Sequence, residues 1–295
     1  MPTSAIGEDF TWHHLLFMKQ ESNHLPASEE PVLSAYERAA ENGVDPRCIP
    51  QYLSETPPVG EEIIIPDYTD QDHSNWTHLF CRQMDILQGY ASDAFFDGVE
   101  TLGMNDKGLP SLAELSRNMF EATGWKIGRI PGLLHESDFL KMVSQRIFPS
   151  TDYIRGVEEL DYTPAPDCFH DMFGHMPLLT QPAFADYYQM FGQASLKAKG
   201  SQRLMLERLH WFTVEFGLVR SGDKNGIFGA GILSSKDEVG HAMEGGAEIV
   251  NFSTDRITSQ DYDVWRLQPT LFVLDSFEQL VTEFRAWAVA ERLLN

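Results

Sequence analysis

The chain has 295 residues, enough for one substantial core, and 42% of them are hydrophobic. Asp and Glu total 44 against 22 Lys and Arg, a net charge of −22, which opposes binding to nucleic acid and to anionic membranes. No apolar run is long enough to span a bilayer, no basic flank precedes an apolar signal core, and Cys48, Cys81 and Cys168 lack zinc-finger or redox spacing, so a reduced, cytoplasmic setting is expected.

Residues 1–65 read as an N-terminal extension that packs on the core, and residues 66–295 as the catalytic part. In the extension, His13 and His14 are adjacent and cannot share a helix face, which argues against a metal pair. EEPVLSAYERAAENG predicts a helix stopped by Gly43, and Pro50, Pro57 and Pro58 then break the chain. The catalytic part opens with a helix starting at Asp72 or Ser74 and running to Leu87, with Trp76, Leu79, Phe80 and Met84 at helical period. A second helix passes through Phe95 and Phe96 to Leu102. A third has Ser111 at its start, Glu114 as capping-box partner and Gly124 past its end. WKIGRIPG then reads as a short strand and loop, and SDFLKMVSQRIF as a helix starting near Ser137.

The stretch DYTPAPDCFHDMFGHMPLLTQ, residues 161–181, carries the first chemistry. Tyr162, Pro164 and Pro166 make its start extended, and Asp167 can cap a short helix over 168–175. Gly174 and Pro177 should end that helix near His175. His170 and His175 are five residues apart, which on an ideal α-helix is an angular separation of about 140°. Their convergence on one metal therefore needs help, expected from the helix end. The plainer alternative is two buried histidines hydrogen-bonded to backbone. Two further helices follow, PAFADYYQMFGQASLKAKG and SQRLMLERLHWFTVEF. The second presents Glu215 amid Trp211, Phe212, Val214, Phe216 and Leu218, where a carboxylate is costly unless paired or on a metal. Two imidazoles and a carboxylate form the facial set that suits iron(II) with open positions. Catalytic zinc uses the same donors, but the HExxH peptidase pattern is absent. Residues 222–277 read as a sheet-rich lobe, with strands in IFGAGILSS, GAEIVNF and PTLFVLDSF. A final amphipathic helix packs Leu280, Phe284, Trp287 and Ala288. The fold class is mainly α-helical α+β: a single domain with a small sheet-rich lobe.

HDMFGHMPLL, WFTVEFGL and FGAGILSS together resemble the pterin-dependent aromatic amino acid hydroxylases, most of all the short bacterial phenylalanine 4-hydroxylases. The resemblance covers roughly residues 66–285. It implies the catalytic-domain fold of that family, iron(II) on His170, His175 and Glu215, and tetrahydropterin and O2 as co-reactants. It implies L-phenylalanine as substrate and L-tyrosine as product. Phenylalanine 3-hydroxylation and tryptophan 5-hydroxylation are rivals within the family, with zinc hydrolysis and a non-catalytic metal-stabilised binding protein further off.

By the same resemblance, Gly132 and Leu134 offer backbone contacts to the pterin, Phe139 stacks on it and Asp171 lies beside it; without the resemblance Phe139 reads as core. Arg155 matches the clamp for the substrate carboxylate, against a surface salt bridge as the alternative. Thr163 and Asp167 match positions that bind the amino acid backbone. Trp211 and Phe216 match the wall of the ring pocket, and Gly231, Ser234 and Ser235 match positions near substrate and histidines, with Ser235 expected to orient His170 or a neighbour. Tyr262 and Val264 match a loop beside the site. His210 stands where the family commonly has tyrosine, and hydrogen bonding behind the ligands is the role expected of it. Phe228 replaces another frequent tyrosine. A chain without the heptad tail of the animal enzymes is expected to be a monomer.

Overall fold

Helix α1, Asp70–Leu87, starts two residues earlier than Asp72 because its cap is Thr69. Thr69 Oγ1 accepts from the Asp72 amide, and Asp72 returns a bond to the Thr69 amide at 2.8 Å, a reciprocal capping box. Helix α2, Asp93–Leu102, and helix α3, Leu112–Thr123, both end on a left-handed glycine, Gly103 and Gly124. These elements belong to a computed structural model that describes residues 46–295 apart from Ile65, Tyr162, Pro164, Val264 and Trp265. The expectations for His13, His14, the helix ahead of Gly43, Tyr162, Pro164 and Val264 lie outside the described residues.

Strand β1, Lys126–Arg129, helix α4, Glu136–Ser144, and strand β2, Ile147–Ser150, make one βαβ unit with the strands parallel. The segment before α1 crosses this unit. The Gln51 amide donates to Leu133 O, the His135 amide to Gln51 O, and the Arg129 amide to Pro58 O.

Two single turns of π-helix follow, His170–His175 and Trp211–Glu215. Between them lie α5, Met176–Leu179, α6, Pro182–Ser195, and α7, Ser201–His210. The π turn ends at His175, but the helix does not stop there as Gly174 and Pro177 led one to expect; it runs on directly into α5. Pro177 instead sits in the first turn of α5, where its missing N–H costs nothing. After the second turn come β3, Leu218–Ser221, β4, Lys224–Ile227, α8, Ala230–Leu233, and α9, Lys236–Met243. The strand expected across IFGAGILSS thus ends at Ile227, and Ala230–Leu233 within it is helix. β5, Glu248–Asn251, α10, Thr254–Ser259, β6, Thr270–Leu274, and α11, Phe277–Ala290, complete the chain. The sheet order is β4-β3-β6-β5, with β3 antiparallel to β4 and β6 parallel to both β3 and β5.

Aromatic packing fixes the first π turn from behind. Phe169 and Phe173 stack at 4.9 Å; Trp76 of α1 meets Phe169 edge-on at 5.5 Å, and Phe95 of α2 meets Phe173 at 5.2 Å. On the far side of α5, Gly98 of α2 lies against Pro177. A Cβ there would sit 2.2 Å from the Pro177 carbonyl oxygen. Helix propensity alone makes Gly98→Ala favourable by about 1 kcal/mol. Overpacking costs about 1–3 kcal/mol, and the obstacle here is backbone that no rotamer change relieves. Gly98→Ala is therefore expected to lower the urea midpoint with an unchanged m-value; a raised midpoint would show that α5 slides freely on α2.

Candidate metal centre

In the first π turn the Met176 amide donates to Asp171 O, five residues back, in place of the four of an α-helix. The wider turn brings residues five apart nearly into line, so the register itself, and not a helix end, makes His170 and His175 converge. Their Nε2 atoms lie 2.9 Å apart. The second π turn closes with the Phe216 amide on Trp211 O at 2.9 Å and delivers Glu215 to the same point. Glu215 Oε1 is 3.3 Å from His175 Nε2, and Oε2 is 3.7 Å from His170 Nε2. One ligand atom from each residue falls within 4.8 Å of the others. His170 and Glu215 are wholly buried and His175 is 4% exposed.

These residues fit a metal ion. Both oxygens of Glu215 are buried without a hydrogen-bond donor among the described residues. A buried carboxyl group left so costs roughly 1–3 kcal/mol or more, which a coordinated cation removes. His170 is prepared for the same task. Ser234 Oγ donates to Ala230 O at 2.8 Å, so its lone pairs accept from His170 Nδ1–H at 2.9 Å. That bond fixes the tautomer and leaves the Nε2 lone pair facing Glu215 and His175. Ser235, to which this role was assigned from sequence, instead caps α9 by accepting from the Glu238 amide.

The backbone behind Glu215 is held by a close approach. A Cβ on Gly229 would lie 2.4 Å from Glu215 O, so only glycine lets the two chains meet here. Gly231 meets the Phe216 ring in the same way, with its ideal Cβ 3.0 Å from Cζ.

Two other buried acids surround the ligands, and both are satisfied. Asp167 accepts from Arg155 Nε at 2.8 Å, Arg155 Nη2 at 2.7 Å, the Arg155 amide at 2.9 Å and the His170 amide at 3.1 Å. Arg155 is therefore a buried fork on Asp167, not a surface salt bridge, and Asp167 ties it to the backbone of a metal ligand. Asp171 Oδ2 accepts from the Thr151 amide and Thr151 Oγ1, both at 2.8 Å. Burial pushes Asp171 up to about 7, against the downward pull of those bonds. Thr163, also buried, donates to Ala165 O at 3.1 Å.

On one flank Trp211 packs against Phe216 at 4.5 Å and stacks on Tyr262 at 4.7 Å. On another, Phe139 of α4 is buried and meets His210 edge-on at 6.4 Å. Leu134 forms a parallel bridge with Gln51 in which its own N–H and C=O face away from Gln51, and Gly132 has open space around its Cα. Phe228 packs against Phe184 and Phe277. Sequence reading did not find Ser234 and Thr151 as partners of His170 and Asp171, nor Tyr188 as the partner of His210. Their separations, 64, 20 and 22 residues, give no local signal.

The sequence model of a family described as "Biopterin-dependent aromatic amino acid hydroxylase" matches residues 53–293. The phenylalanine-4-hydroxylase of Ralstonia nicotianae is 45% identical over 215 residues, 72% of this chain and 69% of its own length. That of Chromobacterium violaceum is 42% identical, covering 72% of each chain. A crystal structure of the Chromobacterium violaceum phenylalanine hydroxylase with bound oxidized Fe(III) superposes with a TM-score of 0.72 at 39% identity, over 77% of this chain and 84% of that one. Its cobalt-bound form gives 0.74 at 36%, over 88% and 93%. With 241 of its residues inside the family match and the metal-ligand set assembled in the core, this chain belongs to the biopterin-dependent aromatic amino acid hydroxylases.

Proposed function

We propose that this protein is a phenylalanine 4-monooxygenase, converting L-phenylalanine to L-tyrosine with O2 and a tetrahydropterin at iron(II). The observation that carries this reading is the buried His170–His175–Glu215 set, whose carboxylate has no donor in the described protein. Relatives named phenylalanine-4-hydroxylase support the substrate. Iron(II) and the pterin together supply the activation of O2, chemistry for which amino acid side chains have no equivalent.

The protein's own part is to bind, orient and exclude water. Arg155 recognises the substrate carboxylate, and Asp167 sets the plane of its guanidinium by a two-point bond. Thr163 and the 163–167 loop border that clamp. Trp211 and Phe216, with Gly231 allowing close approach, wall the space for the aromatic ring. Ser234 orients His170 and stiffens that wall, with Ser235 beside it at the start of α9. Phe139, the backbone of Gly132 and Leu134, and Asp171, which Thr151 holds, would bind the pterin. Residues 1–65 are an extension to this catalytic part, and their described portion, from residue 46, bonds to the βαβ unit through Gln51 and Pro58. A monomeric, cytoplasmic enzyme fits the acidic composition and the free thiols of Cys81 and Cys168. No helix among the described residues is long and apolar enough to cross a membrane.

His175→Ala and Glu215→Ala are each expected to lose bound iron and hydroxylation while keeping the wild-type circular dichroism. Added iron(II) should raise the melting temperature of wild type and of neither variant, because only a protein that binds the ion gains stability from it. Wild-type iron content and activity in either variant would refute the assignment.

Arg155→Lys keeps the charge but loses the fork. Losing one charge-assisted bond, about 1.5–3 kcal/mol, should raise the KM for phenylalanine roughly 10- to 100-fold at saturating pterin. The melting temperature should fall as well, since Asp167 loses its two-point partner. A lower melting temperature with an unchanged KM would leave Arg155 a purely structural role.

The ring position is tested by supplying iron-loaded protein with tetrahydropterin, O2 and equal phenylalanine, tyrosine and tryptophan. para-Tyrosine should dominate when products are separated against ortho-, meta- and para-tyrosine standards. A main product of meta-tyrosine, or preferential loss of tryptophan, would move the activity elsewhere in the family. One methylene of pocket size discriminates by only about 1–3 kcal/mol, so slow turnover of tryptophan is compatible with the proposal.

A further inference from the structure

His210 is wholly buried and lies beside the metal ligands without being one of the three. It immediately precedes the second π turn, so the register that aligns residues five apart places it over Glu215. Its Nδ1 is 3.9 Å from Glu215 Oε1, and its Nε2 is 3.0 Å from the hydroxyl of Tyr188 on α6. Phe191 and Phe139 pack on the imidazole at 5.2 and 6.4 Å between ring centres, so the ring has little freedom to turn.

Two tautomers are open to a neutral His210. If Nε2 carries the hydrogen, it donates to Tyr188 O. The buried hydroxyl hydrogen of Tyr188 then has no acceptor among the described residues, and the Nδ1 lone pair faces a carboxylate oxygen. If Nδ1 carries the hydrogen, Tyr188 donates to Nε2 and Nδ1–H faces Glu215 Oε1. The second arrangement gives the Tyr188 hydroxyl hydrogen an acceptor and sets a dipole of the right sign against the carboxylate.

We propose that Tyr188 and His210 form a positioning dyad for the carboxylate ligand: Tyr188 locks the His210 tautomer, and His210 Nδ1–H holds Glu215 Oε1. This rests on the metal-centre reading above and adds a residue pair to it. At 3.9 Å the contact is a charge–dipole attraction and not yet a hydrogen bond, so its consequence is expected in how Glu215 holds an ion more than in whether the fold forms. The dyad supports a ligand from behind, as outer partners do for metal-bound histidines, where their loss costs 10- to 100-fold in affinity.

The test titrates cobalt(II) into metal-free protein, following visible absorption for both the dissociation constant and the band shape. His210→Phe removes both nitrogens and should weaken cobalt binding about tenfold and alter the band. Tyr188→Phe removes only the lock and should give a smaller loss in the same direction. In the His210→Phe background it should add nothing, because the two residues act as one unit. His210→Asn, which offers an amide N–H close to the position of Nδ1–H, should recover most of the affinity and be indifferent to Tyr188→Phe. Unchanged affinity and band shape in His210→Phe, or strictly additive losses in the double variant, would overturn the dyad. If His210→Phe fails to fold, Tyr188→Phe decides: wild-type affinity and band shape there would equally overturn it. Absence of cobalt binding by wild type is a distinct result, which would overturn the metal centre and the dyad with it.

Discussion

A carboxyl group sealed in the core without a hydrogen bond is the constraint on which the centre depends. Three acids are buried in or beside the centre: Asp167 and Asp171 flank the first ligand, His170, and Glu215 is itself a ligand. Asp167 accepts four hydrogen bonds and Asp171 accepts two, but Glu215 accepts none from the described protein. An unsatisfied buried carboxyl is among the most costly features a core can hold. The contrast with its two neighbours shows that the surroundings are capable of satisfying acids and leave this one for an ion. The aromatic layer of Trp76, Phe95, Phe169 and Phe173 behind the first π turn excludes water, which both raises that cost and strengthens any bond to a cation.

The two π turns are the local device that makes the centre possible. Residues five apart diverge on an α-helix, and in this chain each five-residue interval, His170 to His175 and His210 to Glu215, is spanned by a turn of the other kind. Such turns give up regular hydrogen bonding and survive where the surroundings over-determine them. Here that over-determination is visible. Pro177 is wedged against Gly98, Gly229 lies against Glu215 O, and Ser234 bridges from α8 to His170. Asp167 then couples the centre to Arg155, so one carboxylate anchors both the backbone of a ligand and the guanidinium proposed to receive substrate.

Much of this was legible in the sequence. Apolar period three to four marked α1, α2, α6, α7 and α11, and Ser111 and Gly124 marked the ends of α3, because helices and caps are short-range interactions between neighbours in the chain. The residue types of the centre were legible for the same kind of reason: two histidines and a glutamate stand out in apolar surroundings where polar groups need a purpose. The assignment of iron and pterin rested on whole motifs and not on spacing alone.

Tertiary structure decided how those residues are used. A periodicity argument assumes the α register, so it could not foresee that a π turn aligns His170 with His175 or that α5 continues through Pro177. The resemblance set Ser235 against His170 or a neighbour, whereas Ser234 bonds His170, because one step along a chain changes which way a side chain points and the sequence records only the step. The resemblance favoured Arg155 as a substrate clamp over a surface pair without showing its partner, and the fold buries it on Asp167. The hydrogen-bond partners of His170, Asp171 and His210 come from elements far along the chain. Local sequence determines which groups are present and which helices form. Which lone pair faces which proton is settled only when distant elements pack, because hydrogen bonds act over about 3 Å and carry no trace in the residues between.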